Sequence, residues 1–202
     1  EKVAYVCQQN VYVEDLKTNT IEQLTSDGGD NIINGTFDWV YEEEFGCRDG
    51  FRWSEDGKYI AFWQSNTVGT GTFYMINNLD SNYSQPIPLP YPKAGTANSA
   101  VKIGIVKLSN KDITWLNIPG DPRNNYLPRM ELIPSTNKLI IQQMNRLQNT
   151  NKVFFADVET GKTTHIFTEE AEAWLETNND IKWLDNGKYF TWMSDKSGFM
   201  HL

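Results

Sequence analysis

The stretch R-W-S-E-D-G-K-Y at residues 52–59 decides the fold, because the same pattern returns later in the chain. It recurs as K-W-L-D-N-G-K-Y at residues 182–189 and more weakly as E-L-I-P-S-T-N-K at residues 131–138. In the two stronger copies, Asp-Gly or Asn-Gly stands just before a β-type run, and both dipeptides suit the positive φ angles of tight hairpin turns. The copies therefore predict a repeated β-hairpin, and their closing lysines lie 80 and 50 positions apart.

A second recurring unit ends a strand and turns. It reads D-L-K-T-N at residues 15–19, K-L-S-N at 107–110 and D-V-E-T-G at 157–161. Its apolar anchors are 92 and 50 positions apart, so a period of about 46–50 residues fits, with an irregular Asn- and Pro-rich insertion at residues 64–99. Four short strands in such a period are typical of a β-propeller blade, which buries its faces only against neighbouring blades. At this period, 202 residues supply roughly four blades of four antiparallel strands.

Short β-branched or aromatic runs bounded by Gly, Asn, Asp or Pro dominate the chain and predict an all-β protein. The predicted strands are 3–6, 11–13, 59–63, 73–76, 101–108, 139–142, 153–158 and 189–193. The best helical candidate is E-E-A-E-A-W-L at residues 169–175, which is long enough for only two turns.

Composition excludes several classes of function. The chain has 18 Lys and Arg against 26 Asp and Glu, a net charge of −8, which argues against nucleic-acid binding. With 13% aromatic residues it is too apolar to be disordered. Its longest apolar runs are four or five residues, so we expect no membrane span in this piece.

Cysteine and histidine carry no recognisable metal or catalytic pattern. Cys7 and Cys47 lack metal-type spacing, and the residues favour free buried thiols while a disulfide between them stays open. We expect neither a metal nor a cofactor. The sequence contains no G-x-S-x-G nucleophile motif, so we assign structural roles to His165 and His201 and expect no hydrolysis by these 202 residues alone.

Both ends of the sequence fall inside β-type patterns, so we expect a piece of a longer chain. Residues 3–6 already predict a strand, and the chain stops within an apolar-alternating segment. A propeller cut from a larger ring would expose blade faces, and we expect these faces to pair with a second copy in a homodimer.

One segment, D-W-V-Y-E-E-E-F at residues 38–45, interrupts the β pattern. Its three adjacent carboxylates stand among Trp39, Tyr41 and Phe45, which would anchor the segment on apolar surface. On a helical turn, neighbouring glutamates lie about 100° apart and can converge on one cation, whereas on a strand they diverge. Two carboxylates can grip an ammonium group through charge-assisted hydrogen bonds. The alternative is a solvated acidic loop.

At these residues the sequence resembles a known family. D-W-V-Y-E-E-E, then F-R-W-S-E-D-G-K-Y-I-A-F at residues 51–62, Y-P-K-A-G at 91–95 and S-D-K-S-G-F-M-H-L at 194–202 are similar to the propeller of the dipeptidyl peptidase IV family, within the prolyl oligopeptidase family of serine peptidases. The resemblance covers nearly the whole chain. It implies an eight-bladed ring capping an α/β-hydrolase domain, with residues 1–202 forming one domain, a partial propeller of about half that ring.

The resemblance also implies a substrate site. Glu43 and Glu44 match the family's double-glutamate motif on a short projecting helix, which holds the free α-ammonium of a peptide so that X-Pro or X-Ala dipeptides are released. Glu42 would be a neighbour without that role, and we interpret Trp39 and Tyr41 as packing residues. The implied partners are peptide N-termini and the hydrolase domain of the parent chain, in a periplasmic or extracellular location.

Two departures from the family pattern leave specificity open. G-C-R-D at residues 46–49 differs from the lining that follows the triplet in mammalian members, and no role is assigned to Thr177 and Asn178. A second hypothesis from another class is a non-catalytic propeller that serves as a scaffold or interaction module. A G-x-S-x-G motif beyond residue 202 would favour the enzyme.

Overall fold

The protein is described by a computed structural model that covers all 202 residues. The chain divides into two compact units: the first comprises Glu1–Gly50 and Gln64–Ala100, and the second comprises Phe51–Trp63 and Val101–Leu202. Sixteen strands and one helix occur in the order β1 (Lys2–Cys7), β2 (Asn10–Asp15), β3 (Thr20–Gln23), β4 (Ile32–Asn34), α1 (Trp39–Phe45), β5 (Phe51–Trp53), β6 (Tyr59–Asn66), β7 (Thr72–Asn77), β8 (Gln85–Pro90), β9 (Ala100–Lys107), β10 (Ile113–Trp115), β11 (Asn125–Leu132), β12 (Lys138–Asn145), β13 (Thr150–Asp157), β14 (Thr163–Glu170), β15 (Trp183–Leu184) and β16 (Tyr189–Phe190).

The first unit contains a three-stranded antiparallel sheet, in the order β1-β2-β3, and the separate hairpin β7–β8. Strand β4 pairs with the last three residues of β6. In the sheet, Val11 and Val13 are buried while β1 and β3 are mostly exposed or half-buried, so β2 forms its core. The turn from β2 to β3 is held by Asp15, whose carboxylate accepts from the backbone N–H groups of Lys17 and Thr18.

The second unit contains the largest core. Strands β11 to β14 form a four-stranded antiparallel sheet in sequence order, and β12 is buried over six of its eight residues. A cluster of Ile133, Ile140, Val153 and Ile181 packs with five partly buried aromatic side chains: Phe155, Phe167, Trp183, Phe190 and Trp192. Strand β9 lies between β10 and β6, and β5 also pairs with β6.

Both predicted repeats are hairpins. The three copies around Lys58, Lys138 and Lys188 join β5 to β6, β11 to β12 and β15 to β16. The second unit of repetition joins β2 to β3, β9 to β10 and β13 to β14. Gly57 and Gly187 adopt φ angles of 68° and 84°, the left-handed conformation that the Asp-Gly and Asn-Gly pairs predicted. The all-β expectation is confirmed, although the sheets contain two to five strands instead of a uniform four.

The helical candidate at residues 169–175 is wrong. Glu169 and Glu170 belong to β14, where they pair with Asn151 and Thr150 of β13, and no helix follows them. The helix of this chain is α1, inside the acidic segment. The predicted strand at 189–193 is also shorter, since β16 ends at Phe190. Both cysteines are free, as favoured, but only Cys47 is buried and Cys7 is exposed.

The hairpin β7–β8 has two chemically different edges. Prolines 86, 88 and 90 of β8 stand opposite Ile76, Tyr74 and Thr72. Because proline has no N–H, those pairs cannot exchange hydrogen bonds within the hairpin, so the intervening pairs form the ladder. The outer edge of β8 therefore carries no donors, while β7 directs the N–H and C=O groups of Thr72, Tyr74 and Ile76 outward. No third strand pairs with either edge.

Candidate functional site

Helix α1 forms because both of its ends are capped. The side chain of Asp38 accepts a hydrogen bond from the N–H of Tyr41, at 3.2 Å, as an N-cap does. Gly46 ends the helix with φ 62° and ψ 25°, and the N–H of Cys47 donates to the carbonyl of Tyr41. The caps let a segment rich in aromatic residues, which have modest helix propensity, begin and end at defined positions.

One face of α1 is anchored in the first unit. Tyr41 and Phe45, four residues apart, are both buried, and their rings contact each other at 5.6 Å between centroids. The ring of Tyr41 also stacks on Phe37 at 5.6 Å. The packing role predicted for Tyr41 is therefore confirmed. Since successive residues rotate by about 100°, Glu43 lies on the side opposite this anchor, and Glu42 and Glu44 flank it.

All three glutamates are exposed, and they do not share one environment. Glu42 lines a groove of about 560 Å³ together with Phe37, Trp39 and the Pro88–Pro90 end of β8, whereas Glu43 and Glu44 are not among its lining residues. The adjacent pair Glu43 and Glu44 lies on a helix and not on a strand, which is the local geometry that lets two carboxylates approach one cation. Charge-assisted hydrogen bonds to an ammonium are the chemistry that this pair offers.

The N-terminus of α1 is tied to a distant segment through Asp38. Its Oδ2 accepts a hydrogen bond from the hydroxyl of Ser99, at 2.6 Å and across 61 positions of sequence. Burial raises the pKa of Asp38 above 3.8, while the hydrogen bonds from Ser99, Tyr41 and Val40 act in the opposite direction. Sequence reasoning did not find this contact, because nothing in either motif indicates that residues 38 and 99 meet.

The next residue makes a second contact with the same segment. The ring of Trp39 lies 5.6 Å from that of Tyr91, which in turn lies 5.5 Å from Phe73 of β7. Trp39 is 36% exposed, so its packing role is only partial. Tyr91 is the first residue of the Y-P-K-A-G motif. This motif contributed to the family resemblance, but the sequence did not indicate what Tyr91 contacts.

The serine and histidine residues near the C-terminus form structural contacts. The backbones of Ser194 and His201 pair in an isolated β-bridge, and the hydroxyl of Ser194 donates to Glu169. A ring nitrogen of His165 lies 2.8 Å from the hydroxyl of Thr168. Asn178 is buried and donates to the carbonyl of Met193, so its side chain holds the fold locally.

The structure contains no cluster of three or more His, Cys, Asp or Glu side chains arranged for a metal ion. None of its helices combines the length and the apolar composition needed to cross a bilayer.

The repeated antiparallel hairpins, interrupted by one capped helix, define the chain as a β-propeller region, and its backbone superposes on a solved example. The crystal structure of Porphyromonas gingivalis dipeptidyl peptidase 4 matches with a TM-score of 0.91 and 28% sequence identity, over 99% of this chain and 29% of that chain. Residues 1–202 match the family described as the dipeptidyl peptidase IV (DPP IV) N-terminal region, and the chain belongs to that family. The resemblance expected from the four motifs is thereby confirmed.

Curated relatives are much longer than this chain. A protein of Aspergillus clavatus named "Probable dipeptidyl peptidase 4" is 28% identical over 100% of this chain, which corresponds to 28% of that protein. A protein of Pyrenophora tritici-repentis named "Probable dipeptidyl-aminopeptidase B" is 31% identical over 88% of this chain and 22% of its own length. The chain therefore spans about a quarter of the relatives it matches.

Proposed function

We propose that this chain is the substrate-recognising part of a dipeptidyl-peptidase-IV-like serine exopeptidase, in which Glu43 and Glu44 bind the free α-ammonium of a peptide. The observation that carries the proposal is the adjacent, exposed pair on a short capped helix, within a chain of this family. The ammonium at a peptide N-terminus has a pKa of about 7.7–8.0 and is mostly charged at neutral pH. Anchoring it would set the distance to the bond that is cut and so select dipeptides, with Pro or Ala second.

The nucleophile in this proposal belongs to a hydrolase domain of the longer parent protein. The 202 residues contain no G-x-S-x-G motif. The relatives are named as peptidases, and this chain covers only 22–28% of their length. We further propose a periplasmic or extracellular location, where peptide N-termini are available as substrates. Detection of the parent protein in the cytoplasmic fraction alone would contradict that location.

The test uses the full-length protein and an Ala-Pro chromogenic reporter. Glu43→Gln and Glu44→Gln should each lower kcat/KM roughly 10- to 100-fold, mainly by raising KM, because a hydrogen bond to a charged group contributes about 1.5–3 kcal/mol. Glu42→Gln, on the same helix and also exposed, is the matched control and should change kcat/KM less than about twofold. Unchanged cleavage in both Glu43→Gln and Glu44→Gln would remove the site assignment.

The second candidate is a propeller scaffold without peptidase activity. It is distinguished by the same assay: a full-length protein that lacks G-x-S-x-G and does not cleave the reporter is a scaffold.

We also propose that two copies of the chain associate, and the hairpin β7–β8 is the surface that favours this. The side chains of Phe73, Tyr74, Met75 and Ile76 are each at least 41% exposed. Residues 72–90 contain a single charged side chain, Asp80, in a chain of net charge −8, so charge repulsion between two copies is small at this hairpin. Of the two edges of this hairpin, only the β7 edge has the N–H donors needed to pair with another strand. If two copies of β7 pair about a two-fold axis at Tyr74, each copy makes the same contacts with the other.

Light scattering on the full-length protein tests the association. Tyr74→Pro removes one outward N–H without removing a ladder hydrogen bond of the hairpin, and it should shift the dimer toward monomer. Pro88→Ala, on the blocked edge, is the control and should leave the dimer intact. A wild-type protein that is strictly monomeric at high concentration would contradict the proposal.

A further inference from the structure

The Y-P-K-A-G motif at residues 91–95 has no role in the proposed ammonium site, yet its segment contacts the helix that carries the site. It follows β8 directly and continues to Ser99, which is 3% exposed. At one end of the segment the ring of Tyr91 contacts Trp39, and at the other the hydroxyl of Ser99 donates to Asp38. Two successive residues at the start of α1 are thus held by the two ends of one segment.

The segment between these contacts is shaped by its own hydrogen bonds. The N–H of Tyr91 donates to the carbonyl of Gly71, at 2.7 Å, which continues the ladder of the hairpin β7–β8. The N–H and the hydroxyl of Thr96 both donate to the carbonyl of Lys93, and Gly95 between them has φ 79°. The turn fixes the distance between the Tyr91 contact and the Ser99 contact. A shift of this segment would therefore displace the N-terminus of α1.

Asp38 connects this segment to the helix. One carboxylate oxygen accepts from Tyr41 and starts the helix, and the other accepts from Ser99. Asp38 is 5% exposed. Loss of the Ser99 hydroxyl would therefore leave one carboxylate oxygen without its hydrogen-bond donor, at a position where water has little access to replace it. Burial already raises the pKa of Asp38, and the hydrogen bond from Ser99 opposes that rise.

A helix of seven residues is too short to be stable without tertiary contacts, so its orientation depends on what it packs against. Its orientation is set by the buried face of Tyr41 and Phe45 and by the contacts at its N-terminus. A change at that N-terminus would tilt the exposed side, where Glu43 and Glu44 lie. Two hydrogen bonds to one ammonium tolerate little displacement, because both carboxylates must keep their distance and direction.

We infer that residues 91–99 act as a brace for α1, and that Asp38 and Ser99 are positioning residues for the ammonium site formed by Glu43 and Glu44. The inference rests on the proposed function, since it assigns these residues an effect on ammonium binding that goes beyond stability. A purely structural brace would lower stability and leave the affinity for the ammonium unchanged in the folded protein.

The experiment measures, in the full-length protein, the affinity for an Ala-Pro peptide and for its N-acetylated form by calorimetry, well below the melting temperature of each variant. Ser99→Ala should weaken binding of the free-amine peptide about three- to tenfold and leave the N-acetylated peptide unchanged. In the reporter assay the same variant should raise KM by that factor while kcat is retained.

Two matched variants isolate the hydroxyl that contacts Asp38. Thr96→Ala removes a hydroxyl from the same segment that bonds only within the turn, and it should change the affinity less than twofold. Ser99→Thr keeps a hydroxyl at position 99 and should retain most of the affinity. Asp38→Asn combined with Ser99→Ala should weaken binding by less than the product of the single effects, since both variants remove one interaction.

If Ser99→Ala does not fold, Tyr91→Leu tests the other end of the brace, because it removes the ring contact with Trp39 and keeps apolar bulk. It should also weaken the free-amine peptide selectively. Equal affinities in Ser99→Ala and wild type, or equal losses for both peptides, would overturn the inference. The outcome is separable from that of the proposed function: if Glu43→Gln and Glu44→Gln weaken binding but Ser99→Ala does not, only the brace fails.

Discussion

Two acidic segments of this chain, E-E-A-E-A-W-L at residues 169–175 and W-V-Y-E-E-E-F at residues 39–45, do not adopt the conformations that their propensities favour. The first consists mainly of good helix formers, yet it begins in a strand and contains no helix. The second contains Trp, Val, Tyr and Phe, which favour strands, yet it is the helix α1.

Hydrogen-bond partners explain the difference. The N–H groups of Ala171 and Leu175 donate to the carbonyls of Asn149 and Gln148, so they are not available for a helix. In the second segment, Asp38 and Gly46 supply both caps, and Tyr41 and Phe45 bury one face. In short segments, helix caps and hydrogen bonds to neighbouring strands decide the conformation. Each of these interactions contributes more than the helix propensity of one residue, which is a few tenths of a kcal/mol.

The largest expected effect comes from removing the anchor of α1. Phe45→Ala should lower the free energy of unfolding of the region by about 3–5 kcal/mol, because a buried aromatic ring is replaced by a cavity. Hydrogen-exchange mass spectrometry of the full-length protein measures this as lost protection of residues 39–47. Trp174→Ala, in the other segment, removes a ring that is 49% exposed and should cost less than half as much. Similar losses in both would show that α1 is not held by its buried face.

A smaller effect is expected at the C-cap. Gly46→Ala should destabilise α1 by about 1–2 kcal/mol, because a residue with a Cβ is strained at φ 62°. Chemical denaturation, monitored by hydrogen exchange, would measure this loss of stability. Gly29→Ala is the control: its position has no atom within 4 Å of an added Cβ and no positive φ, so its stability should be unchanged or slightly higher.

In the segment at residues 169–175, Glu169 belongs to β14 and Glu172 does not, so we expect the two to contribute differently to stability. Glu169→Ala should cost about 1–2 kcal/mol, since Glu169 accepts from the indole of Trp192 and from the hydroxyl of Ser194. Glu172→Ala, three positions on and exposed, should cost almost nothing. Thermal unfolding of the two variants compares them directly. Equal effects would contradict the strand network.

The smallest effect is a dependence on pH at the N-cap of α1. Because burial raises the pKa of Asp38 above 3.8, the folded chain keeps this proton to a higher pH than the unfolded chain does. The free energy of unfolding should therefore fall as pH rises from 3.8 to the raised pKa, and then stay level. Asp38→Asn should lack this slope, which acid titrations of stability would show. A wild-type slope of opposite sign would contradict the assignment.

Sequence patterns predicted the hairpins well, because tight turns are local. The left-handed angles at Gly57 and Gly187 follow from the Asp-Gly and Asn-Gly pairs alone. The resemblance also placed Glu43 and Glu44 on a short helix, as the structure has them. The contact between Asp38 and Ser99 could not be predicted, because it joins residues 61 positions apart and neither motif encodes the other.

The sequence by itself determined the all-β class, the hairpin repeats and the family, since each depends on residue types at fixed short spacings. Only the tertiary structure decided which acidic segment became helical and what holds its N-terminus in place. Those outcomes depend on long-range hydrogen bonds to Asn149, Gln148 and Ser99, which outweigh the weak local preferences of the segments they fix.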